Sequence, residues 1–219
     1  FIGSKTIDFL LNFSGSIIAV NRQEKFGLGK QVNQIVKKDL NLSNLDLPNI
    51  DHVYICLGTK LRAWELIKMS KKKRNTFIKT DLELVVEVAK KAKSLGAKTI
   101  SLISAVGVKE GSFNTYMDTK GKVEKEIIKM QFESVNFFRP GHLQGKALTE
   151  KWDTAITDFF SKIADNFLLG PFSKFKSIDG NSVARAMVLE TKKSKSGINY
   201  FYLMTSQARR FAPHADEVA

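Results

Sequence analysis

Short apolar runs alternate along the chain with longer segments in which apolar residues recur at helical spacing. The runs that predict strands are residues 16–20, 53–57, 99–103 and 135–138. They are short and rich in β-branched or aromatic residues, which is typical of strands covered on both faces. Strands that alternate with helices predict an α/β fold, a doubly wound parallel sheet with helices on both sides.

Two helices are predicted between these strands. Thr80 and Glu83 have the spacing of a capping box, which indicates that one helix begins at Thr80, and Gly96 is expected to end it. The second helix is predicted from about Tyr116 to Met130. The apolar positions expected to face the sheet are Leu82, Val85, Val86, Ala89, Ala92, Val123, Ile127 and Met130.

The alternation weakens after Pro140 and Gly141. A helical stripe of apolar side chains follows at Trp152, Ile156, Phe159, Phe160, Ile163 and Phe167. It faces either the core or a substrate cleft, and the two interpretations are compatible. The 219 residues suit a single domain, so we expect one domain over 1–219, with 142–219 contributing a small substrate or cap region.

The net charge of +13 raises the question of a nucleic-acid or acidic membrane partner. The lysines are spread over several predicted helices, and their densest run, 71–74, falls in a predicted loop without the interleaved aromatics of a single-strand binder. We interpret the charge as a lysine-rich surface and expect no nucleic-acid partner. No apolar run approaches the roughly 20 residues of a membrane helix, so no membrane span is expected.

Cysteine and histidine offer little chemistry in this chain. The single cysteine, Cys56, cannot form an internal disulfide and lies in a predicted strand, which fits a reducing compartment and a cytoplasmic location. The three histidines, His52, His142 and His214, lack metal-ligand spacing, so no metal site is expected.

Tyr116 and Lys120 form the pair with the most chemical meaning. A spacing of four puts both side chains on one helix face, although such a pair also arises by chance on a solvated surface. A lysine ammonium beside a phenol lowers the pKa of the tyrosine, which can then give or take a proton at a carbonyl or alcohol. Ser104 ends the third predicted strand, where open α/β sheets bind ligands, and its hydroxyl is expected to bond the substrate oxygen.

The order of these motifs resembles a known family. Ser104 is followed by Tyr116–Gly121 and then by Phe138–Gly141, and Cys56–Thr59 precedes them. Over roughly residues 1–145 this looks like the atypical short-chain dehydrogenase/reductase superfamily, and within it the Tat-interacting-protein-like oxidoreductases. Residues 182–187 resemble a helix near the C-terminus of these proteins. The resemblance implies an NAD(P)-binding Rossmann fold whose first strand and part of whose glycine loop are missing before Phe1.

The resemblance also implies cofactor-binding positions. Gly3 would belong to the pyrophosphate-binding loop at a helix N-terminus. Asn21 and Arg22 would end the second strand, where NAD enzymes usually carry an acidic residue; Arg22 would instead bind a 2′-phosphate, so NADP is expected rather than NAD. The other implied cofactor-binding positions are Asp39, Leu40, Leu57, Gly58, Thr59, Lys120, Pro140 and Gly141.

We therefore expect an NADP-dependent oxidoreductase that acts on a carbonyl or alcohol of a small-molecule substrate. Tyr116 would transfer the proton, Lys120 would lower the pKa of Tyr116 and hold the nicotinamide ribose, and Ser104 would orient the substrate oxygen. Two alternatives stay open: a non-catalytic NADP(H)-binding regulatory or scaffold protein, and an epimerase or dehydratase that recycles its cofactor. A homodimer and a protein partner are both compatible with the sequence.

Overall fold

Every strand pairing among the described residues of the computed structural model is parallel. The structure describes residues 2–13, 15–42, 44–59, 61, 65, 69–141, 143–144 and 178–203, the pair 143–144 by its backbone only. In chain order the elements are α1 Ile2–Leu10, β1 Ile17–Asn21, β2 Val32–Val36, β3 His52–Ile55, α2 Lys71–Ile78, a π-helical turn Lys79–Glu83, α3 Leu84–Ser94, β4 Thr99–Ile103, α4 Thr115–Lys129, β5 Ser134–Pro140, β6 Leu143–Gln144, β7 Ile178–Asp179, α5 Gly180–Lys193 and β8 Gly197–Leu203.

The main sheet has four strands in the order β3-β4-β5-β8. In the register of this sheet Leu102 of β4 lies between Ile55 of β3 and Phe137 of β5. These three strands run in the same direction. Strands β1 and β2 form a second parallel pair, and β6 and β7 a third. The predicted parallel α/β fold is therefore confirmed.

Helices cover both faces of the main sheet. Two successive residues of β5, Phe137 and Phe138, are both fully buried although their side chains leave the strand on opposite faces. Phe137 belongs to the core formed with α3 and α4, including Val85 and Ile127. Phe138 belongs to the core formed with α1 and α5, including Met187. The two cores make the sheet doubly wound.

Four described strands were not predicted from the sequence pattern: β2, β6, β7 and β8. β6 and β7 have only two residues each. β2 has the sequence Val-Asn-Gln-Ile-Val, in which apolar and polar residues do not alternate, and among the described residues it pairs only with β1. β8 follows Gly197 and pairs along its whole length with β5. It was missed because everything after residue 141 was assigned to a substrate or cap region.

The capping-box prediction is wrong. Ser70 caps the N-terminus of α2 by accepting a hydrogen bond from the Lys73 amide, and the backbone then stays helical through the π-helical turn into α3. Thr80 thus lies inside a continuous helical segment, and the basic run 71–74 forms its first turn rather than a loop. Gly96 does mark the end of α3, where its φ of +86° is in the left-handed region that glycine tolerates.

The region after residue 141 is only partly described. Residues 178–203 form α5 and β8, which pack on and extend the main sheet. The stripe at 152–167 lies outside the described residues, as does the environment of His142 and His214. The assignment of 142–219 to a cap region stays a prediction. In the described part of the chain, none of the helices has the length and apolar character needed to cross a membrane.

Candidate functional site

The C-terminal ends of the parallel strands gather the predicted site residues at one edge of the main sheet. β3 leads into Gly58 and Thr59, β4 leads directly into Ser104, and β5 ends at Pro140. Helix α4, which carries Tyr116, begins at the same edge after the loop that follows β4. This edge is where open α/β sheets bind their ligands.

Helix α4 presents Tyr116 in its first turn. The Asn114 side chain caps the helix by accepting hydrogen bonds from the amides of Tyr116 and Met117, at 3.0 and 3.2 Å. The Tyr116 ring stacks on the fully buried ring of Phe77, with 5.7 Å between the ring centroids. The cap and the stacking fix the start of the helix and the plane of the phenol.

Lys120 forms a buried ion pair with Asp81. The Lys120 Nζ lies 2.9 Å from the Asp81 Oδ1, and the two side chains are 7% and 2% exposed. The second carboxylate oxygen of Asp81 accepts a hydrogen bond from the Thr59 amide at 2.7 Å. Gly58 is close as well, because a Cβ placed on it would lie 3.6 Å from the Asp81 Oδ1.

Asp81 was not predicted as a site residue, because it lies between Thr80 and Glu83, which were interpreted as a capping box. The signal that identifies it is helical periodicity: Phe77, Asp81 and Val85 are spaced by four and all three are buried. A carboxylate on the buried face of a helix requires a partner, because burying an unpaired charge is costly. That partner is Lys120.

The pKa of Tyr116 departs from the sequence expectation. Burial raises it to about 12, and the negative charge of Asp81 acts in the same direction. A lowered pKa was expected for Tyr116, and the structure gives a raised one. Burial of the phenol is the main cause, and Lys120, whose ammonium is paired with Asp81, does not offset it.

Ser104 is bonded within the protein. Its hydroxyl donates a 2.6 Å hydrogen bond to the Glu124 Oε1, and both residues are buried. Glu124 also accepts hydrogen bonds from the Nε and an Nη of Arg139. Arg139 in turn donates to the Tyr202 hydroxyl at 2.6 Å and lies over the Tyr200 ring. Ser104 can donate a hydrogen bond to a substrate oxygen only by giving up its bond to Glu124.

Gly121 lets the loop after β4 pack directly on α4. A Cβ at this position would lie 2.4 Å from the Glu110 nitrogen and 2.7 Å from the Lys109 carbonyl carbon. The same loop donates a 2.9 Å hydrogen bond from the Gly111 amide to the Asp118 carboxylate. The glycine after Lys120 thus has a packing role, which fixes the loop between Ser104 and Tyr116.

Gly3 lies beside the segment that continues β3, where a side chain would make only an ordinary van der Waals contact. It lies in the first turn of α1, and a Cβ on it would lie 3.4 Å from the Cys56 Cβ of the segment that continues β3. Cys56 itself is buried enough that its thiol pKa is raised to about 11, so it is a poor nucleophile.

Asn21 and Arg22 lie at the end of β1, beside the end of β2. The Lys37 amide donates a 2.8 Å hydrogen bond to the Asn21 carbonyl, and the Asn21 side chain donates to Gln34. Arg22 is exposed, and within the described ranges it has no hydrogen bond or ion pair. Its guanidinium is therefore available to an anion.

Asp39 and Leu40 form a tight turn after β2. Asp39 is exposed and its carboxylate accepts a hydrogen bond from the Asn41 amide at 3.0 Å. Leu40 is buried with a φ of +55°, which is uncommon for a residue other than glycine. The local hydrogen bond occupies part of the acceptor capacity of Asp39.

The remaining predicted positions follow β3 and β5. Leu57 is half-buried against the core. The Pro140 carbonyl accepts a hydrogen bond from the Val106 amide, and the Gly141 amide donates to the Leu203 carbonyl. The structure thus joins Thr59 and Lys120 through Asp81, and Ser104 and Arg139 through Glu124. Asn21 and Arg22 share no hydrogen bond with either group in the described part of the chain.

One buried polar atom fits a dinucleotide at this edge. The Thr59 Oγ1 is shielded from solvent and has no hydrogen-bond partner among the described residues. Buried hydroxyls are normally hydrogen-bonded, so an unsatisfied one beside a candidate ligand site indicates a missing partner. Thr59 lies at the C-terminal end of β3, next to the Asp81–Lys120 pair. The residues present therefore fit a bound nicotinamide dinucleotide.

Two curated relatives are similar in sequence. The mitochondrial protein FMP52 of Debaryomyces hansenii is 36% identical over 114 residues, which cover 51% of this chain and 49% of the relative. The protein HTATIP2 of Rattus norvegicus is 28% identical over 120 residues, which cover 53% of this chain and 46% of the relative. The chain spans about half the length of these relatives. No protein-family model matches the chain.

Solved structures share the fold across nearly the whole chain. Serine dehydrogenase from Escherichia coli superposes with a TM-score of 0.66 at 15% identity, covering 94% of each chain. MoeE5, solved in complex with UDP-glucose and NAD, superposes with a TM-score of 0.63 at 16% identity, covering 97% of this chain and 79% of its own. The chain therefore has the fold of these two structures. The similarity to HTATIP2 agrees with the resemblance to Tat-interacting-protein-like proteins stated from the motifs.

The prediction of a cytoplasmic location is wrong. Relatives from several yeasts, including Kluyveromyces lactis, Candida albicans and Saccharomyces cerevisiae, are named as mitochondrial proteins. The single cysteine on which the prediction depended is equally compatible with that compartment, because it indicates only the absence of an internal disulfide.

Proposed function

We propose that this protein is an NADP-dependent oxidoreductase that interconverts a carbonyl and an alcohol. The observation that carries the proposal is the arrangement of Tyr116, the Asp81–Lys120 pair and the unsatisfied Thr59 Oγ1 at the C-terminal edge of the parallel sheet. The dehydrogenase and epimerase folds that resemble the chain support a nicotinamide dinucleotide as the cofactor. When bound, that cofactor supplies or accepts the hydride.

The chain's own residues would bind the cofactor and move one proton. Tyr116 would donate its phenolic proton to the substrate oxygen during reduction and take it back during oxidation. Lys120 would bind the ribose hydroxyls while keeping one hydrogen bond to Asp81. Thr59 would donate its unsatisfied hydroxyl to the cofactor, and Gly3 would let the phosphates approach the N-terminus of α1. Ser104 would bond the substrate oxygen after exchanging Glu124 for it.

The preference for NADP over NAD is supported by the charges at the end of β1. Arg22 is exposed without an ion-pair partner among the described residues, and Lys37 and Lys38 follow the adjacent strand. A guanidinium can hold a phosphate with two parallel hydrogen bonds.

Calorimetric titration with NADPH and with NADH tests the cofactor assignment. Hydrogen bonds to charged groups contribute about 1.5–3 kcal/mol, so Arg22→Ala is expected to weaken NADPH binding by roughly tenfold to a hundredfold. NADH binding should stay unchanged. Arg74→Ala, an exposed arginine on α2, is the matched control and should change neither affinity. Equal loss of both nucleotides in Arg22→Ala would contradict the phosphate role.

Turnover is tested with NADPH and a panel of aldehydes and ketones. Tyr116→Phe should retain NADPH binding and lose at least a hundredfold in kcat, because general acid–base catalysis typically contributes about a hundredfold to ten-thousandfold. If Tyr116→Phe retained full activity on a carbonyl compound that the wild type reduces, the mechanism would be overturned.

Two alternatives carry their own supporting observations. A non-catalytic NADP(H)-binding regulator is supported by the pairing of Lys120 with Asp81 and of Ser104 with Glu124, which satisfies both side chains inside the protein. An epimerase or dehydratase is supported by the likeness to MoeE5, whose structure contains a sugar nucleotide and NAD. NADPH binding without turnover on the panel favours the first, and consumption of a sugar nucleotide without net NADPH oxidation favours the second.

A mitochondrial location is proposed from the names of the yeast relatives. Fractionation of cells that express the complete natural protein tests it, with recovery in the mitochondrial fraction as the expected result. Recovery only in the cytosol would refute it.

A further inference from the structure

We propose that Phe113 is a specificity-determining residue of the candidate site, and that the substrate is a carbonyl compound with an extended apolar chain or ring. This inference rests on the proposed function, because it names the class of carbonyl compound that the site takes. Phe113 belongs to the loop that joins Ser104 to the start of α4, and it lies three positions before Tyr116. An aromatic side chain therefore directly precedes the helix turn that carries the proposed proton donor.

Packing inside the protein does not explain Phe113. The residue is fully exposed, although phenylalanine is among the residue types most often buried. It stands just before the N-cap of α4, where an apolar side chain often packs against the fourth residue of the helix. That fourth residue is Asp118, whose carboxylate accepts a hydrogen bond from the Gly111 amide and pairs with Lys122. The contact that usually accounts for an apolar residue at this position is therefore not formed.

Hydrogen bonds hold the loop on both sides of Phe113. On one side, the Ser112 amide donates to the Lys109 carbonyl at 3.2 Å, and the Lys109 amide donates to the Met117 carbonyl at 3.3 Å. On the other side, the Asn114 amide donates to the Ser112 Oγ at 3.2 Å, and the Asn114 side chain caps α4. The backbone that presents the ring is thus ordered before a ligand arrives. Contact with such a side chain costs little conformational entropy on binding.

The segment that leads from β4 into this loop is also apolar. Residues 104–108 have the sequence Ser-Ala-Val-Gly-Val and include no charged side chain. Gly107 lies near Met117 of α4, because a Cβ on this glycine would lie 3.9 Å from the Met117 Cε. Ligand sites are typically lined by apolar and aromatic side chains, with a few polar groups that fix the orientation. This segment and Phe113 suit the apolar part of a substrate, and Tyr116 supplies the polar contact to its oxygen.

The charged residues of the loop are mostly paired. Glu110 pairs with Lys125 at 2.8 Å, and Asp118 pairs with Lys122 at 2.7 Å. Lys109 is exposed, and in the described part of the chain it has no ion pair. One exposed lysine gives little selectivity for an anion, because solvent and salt screen its charge. The feature of this loop that can select a substrate is therefore its apolar surface.

The first test is the reduction of straight-chain aldehydes, from propanal to octanal, with NADPH. Moving one methylene from water onto an apolar surface favours binding by up to about fourfold, so kcat/KM of the wild type should rise with chain length, mainly through KM. Phe113→Ser should lose about tenfold or more in kcat/KM on octanal and less than about twofold on propanal. Phe113→Leu, which keeps an apolar side chain, should recover most of the loss on octanal.

Phe26→Ser is the matched control, because Phe26 is 88% exposed but lies on the loop between β1 and β2. It should leave the dependence of kcat/KM on chain length unchanged. Both substitutions remove a solvent-exposed side chain, so both variants should unfold at the same urea concentration as the wild type. The proposal would be overturned if the wild type reduced all the aldehydes with equal kcat/KM, or if Phe113→Ser kept the wild-type dependence on chain length.

Calorimetric titration with octanol and with propanol, on the protein with and without NADP, requires no turnover. The wild type should bind octanol at least about tenfold more tightly than propanol, and Phe113→Ser should lose most of this preference. Equal affinity for the two alcohols in both conditions, or an unchanged preference in Phe113→Ser, refutes the role of Phe113 even if aldehydes are reduced. A preference that depends on Phe113 in a protein that reduces no aldehyde refutes the proposed reaction and leaves the apolar ligand site in place.

Discussion

Gly121→Ala is expected to destabilise the fold even though it puts a better helix former inside α4. The added Cβ would lie 2.4 Å from the Glu110 nitrogen and 2.7 Å from the Lys109 carbonyl carbon, and both are backbone atoms. Backbone cannot rotate out of the way as a side-chain tip does. The loop after β4 must therefore move by about 1 Å to reach ordinary van der Waals distance.

Two opposing terms set the magnitude. Overpacking a well-packed site costs about 1–3 kcal/mol, and a backbone clash belongs in the upper part of that range. Replacing glycine by alanine inside a helix gains about 1 kcal/mol. The net free energy of unfolding should therefore fall by about 1–2 kcal/mol. For a chain of this size each 1 kcal/mol lowers Tm by about 2–4 °C, so Tm should fall by about 2–8 °C.

Urea denaturation followed by circular dichroism measures this change, with Gly3→Ala as the matched control. A Cβ on Gly3 would lie 3.4 Å from the Cys56 Cβ, which is an ordinary contact, so this variant should be neutral or up to about 1 kcal/mol more stable. If Gly121→Ala proves as stable as Gly3→Ala, the loop does not rest on α4 as the structure has it, and the packing argument is wrong.

Two further changes test the buried and capping charges. Glu124→Gln leaves the Arg139 guanidinium, whose side chain is only 15% exposed, without its carboxylate partner and should cost about 3–5 kcal/mol in urea denaturation. Glu126→Gln breaks an exposed pair with Lys129 on the same helix and should leave the stability nearly unchanged. Similar losses in both variants would contradict the buried network. Asp179→Ala removes the N-cap of α5 and should cost about 1 kcal/mol at pH 7. Burial acts to raise the pKa of Asp179, but hydrogen bonds from the first turn of α5 hold the pKa below its usual value. The stability advantage of the wild type over Asp179→Ala should therefore be complete above the unfolded pKa of about 3.9, and it should disappear as the pH falls through the lower folded pKa. An advantage that persists in acid would argue against the cap.

The strands could be anticipated where apolar runs are continuous, but their order in the sheet was not predicted. β4 and β5 are buried on both faces, so nearly every residue is selected for packing, as Phe137 and Phe138 illustrate. β2 was not anticipated, because its apolar residues neither form a continuous run nor alternate with polar ones, and none of its side chains is buried. β8 carries a clear aromatic run, Tyr200 to Tyr202, whose pairing with β5 depends on contacts distant in the chain.

The helix start at Ser70 was hidden for a different reason. Two cap signals occur in the same segment, and the local pattern does not decide between them. Thr80 and Glu83 match the better-known motif, but Phe77 is fully buried in the α2 helix that precedes them, so tertiary packing extends the helix through the second signal. The packing of the buried Phe77 side chain, which stacks on Tyr116, therefore outweighs the local cap signal at Thr80.

The residues of the site could be predicted from the sequence, but the pairing of their charges could not. Tyr116, Lys120 and Glu124 are spaced by four along one stripe of α4, and their positions relative to one another follow from the helix alone. Their partners come from four other places in the fold: Phe77 from α2, Asp81 from the π-helical turn, Ser104 from the end of β4 and Arg139 from the end of β5. A pattern of residue types shows that a lysine lies beside a tyrosine, but only the fold shows that the lysine is already paired.

Lys120 and Ser104 are each bonded to a buried carboxylate, so a ligand that binds either side chain must compete with a protein contact. In the proposed reaction Lys120 would share its ammonium between Asp81 and a ribose, and Ser104 would release Glu124 to donate to a substrate oxygen. Glu124 can accept that loss, because Arg139 continues to satisfy both of its oxygens. Asp81 cannot lose Lys120 without leaving a carboxylate with a single amide donor in a buried site. The two exchanges therefore differ in cost, and Lys120 is the side chain that should keep its partner throughout the reaction.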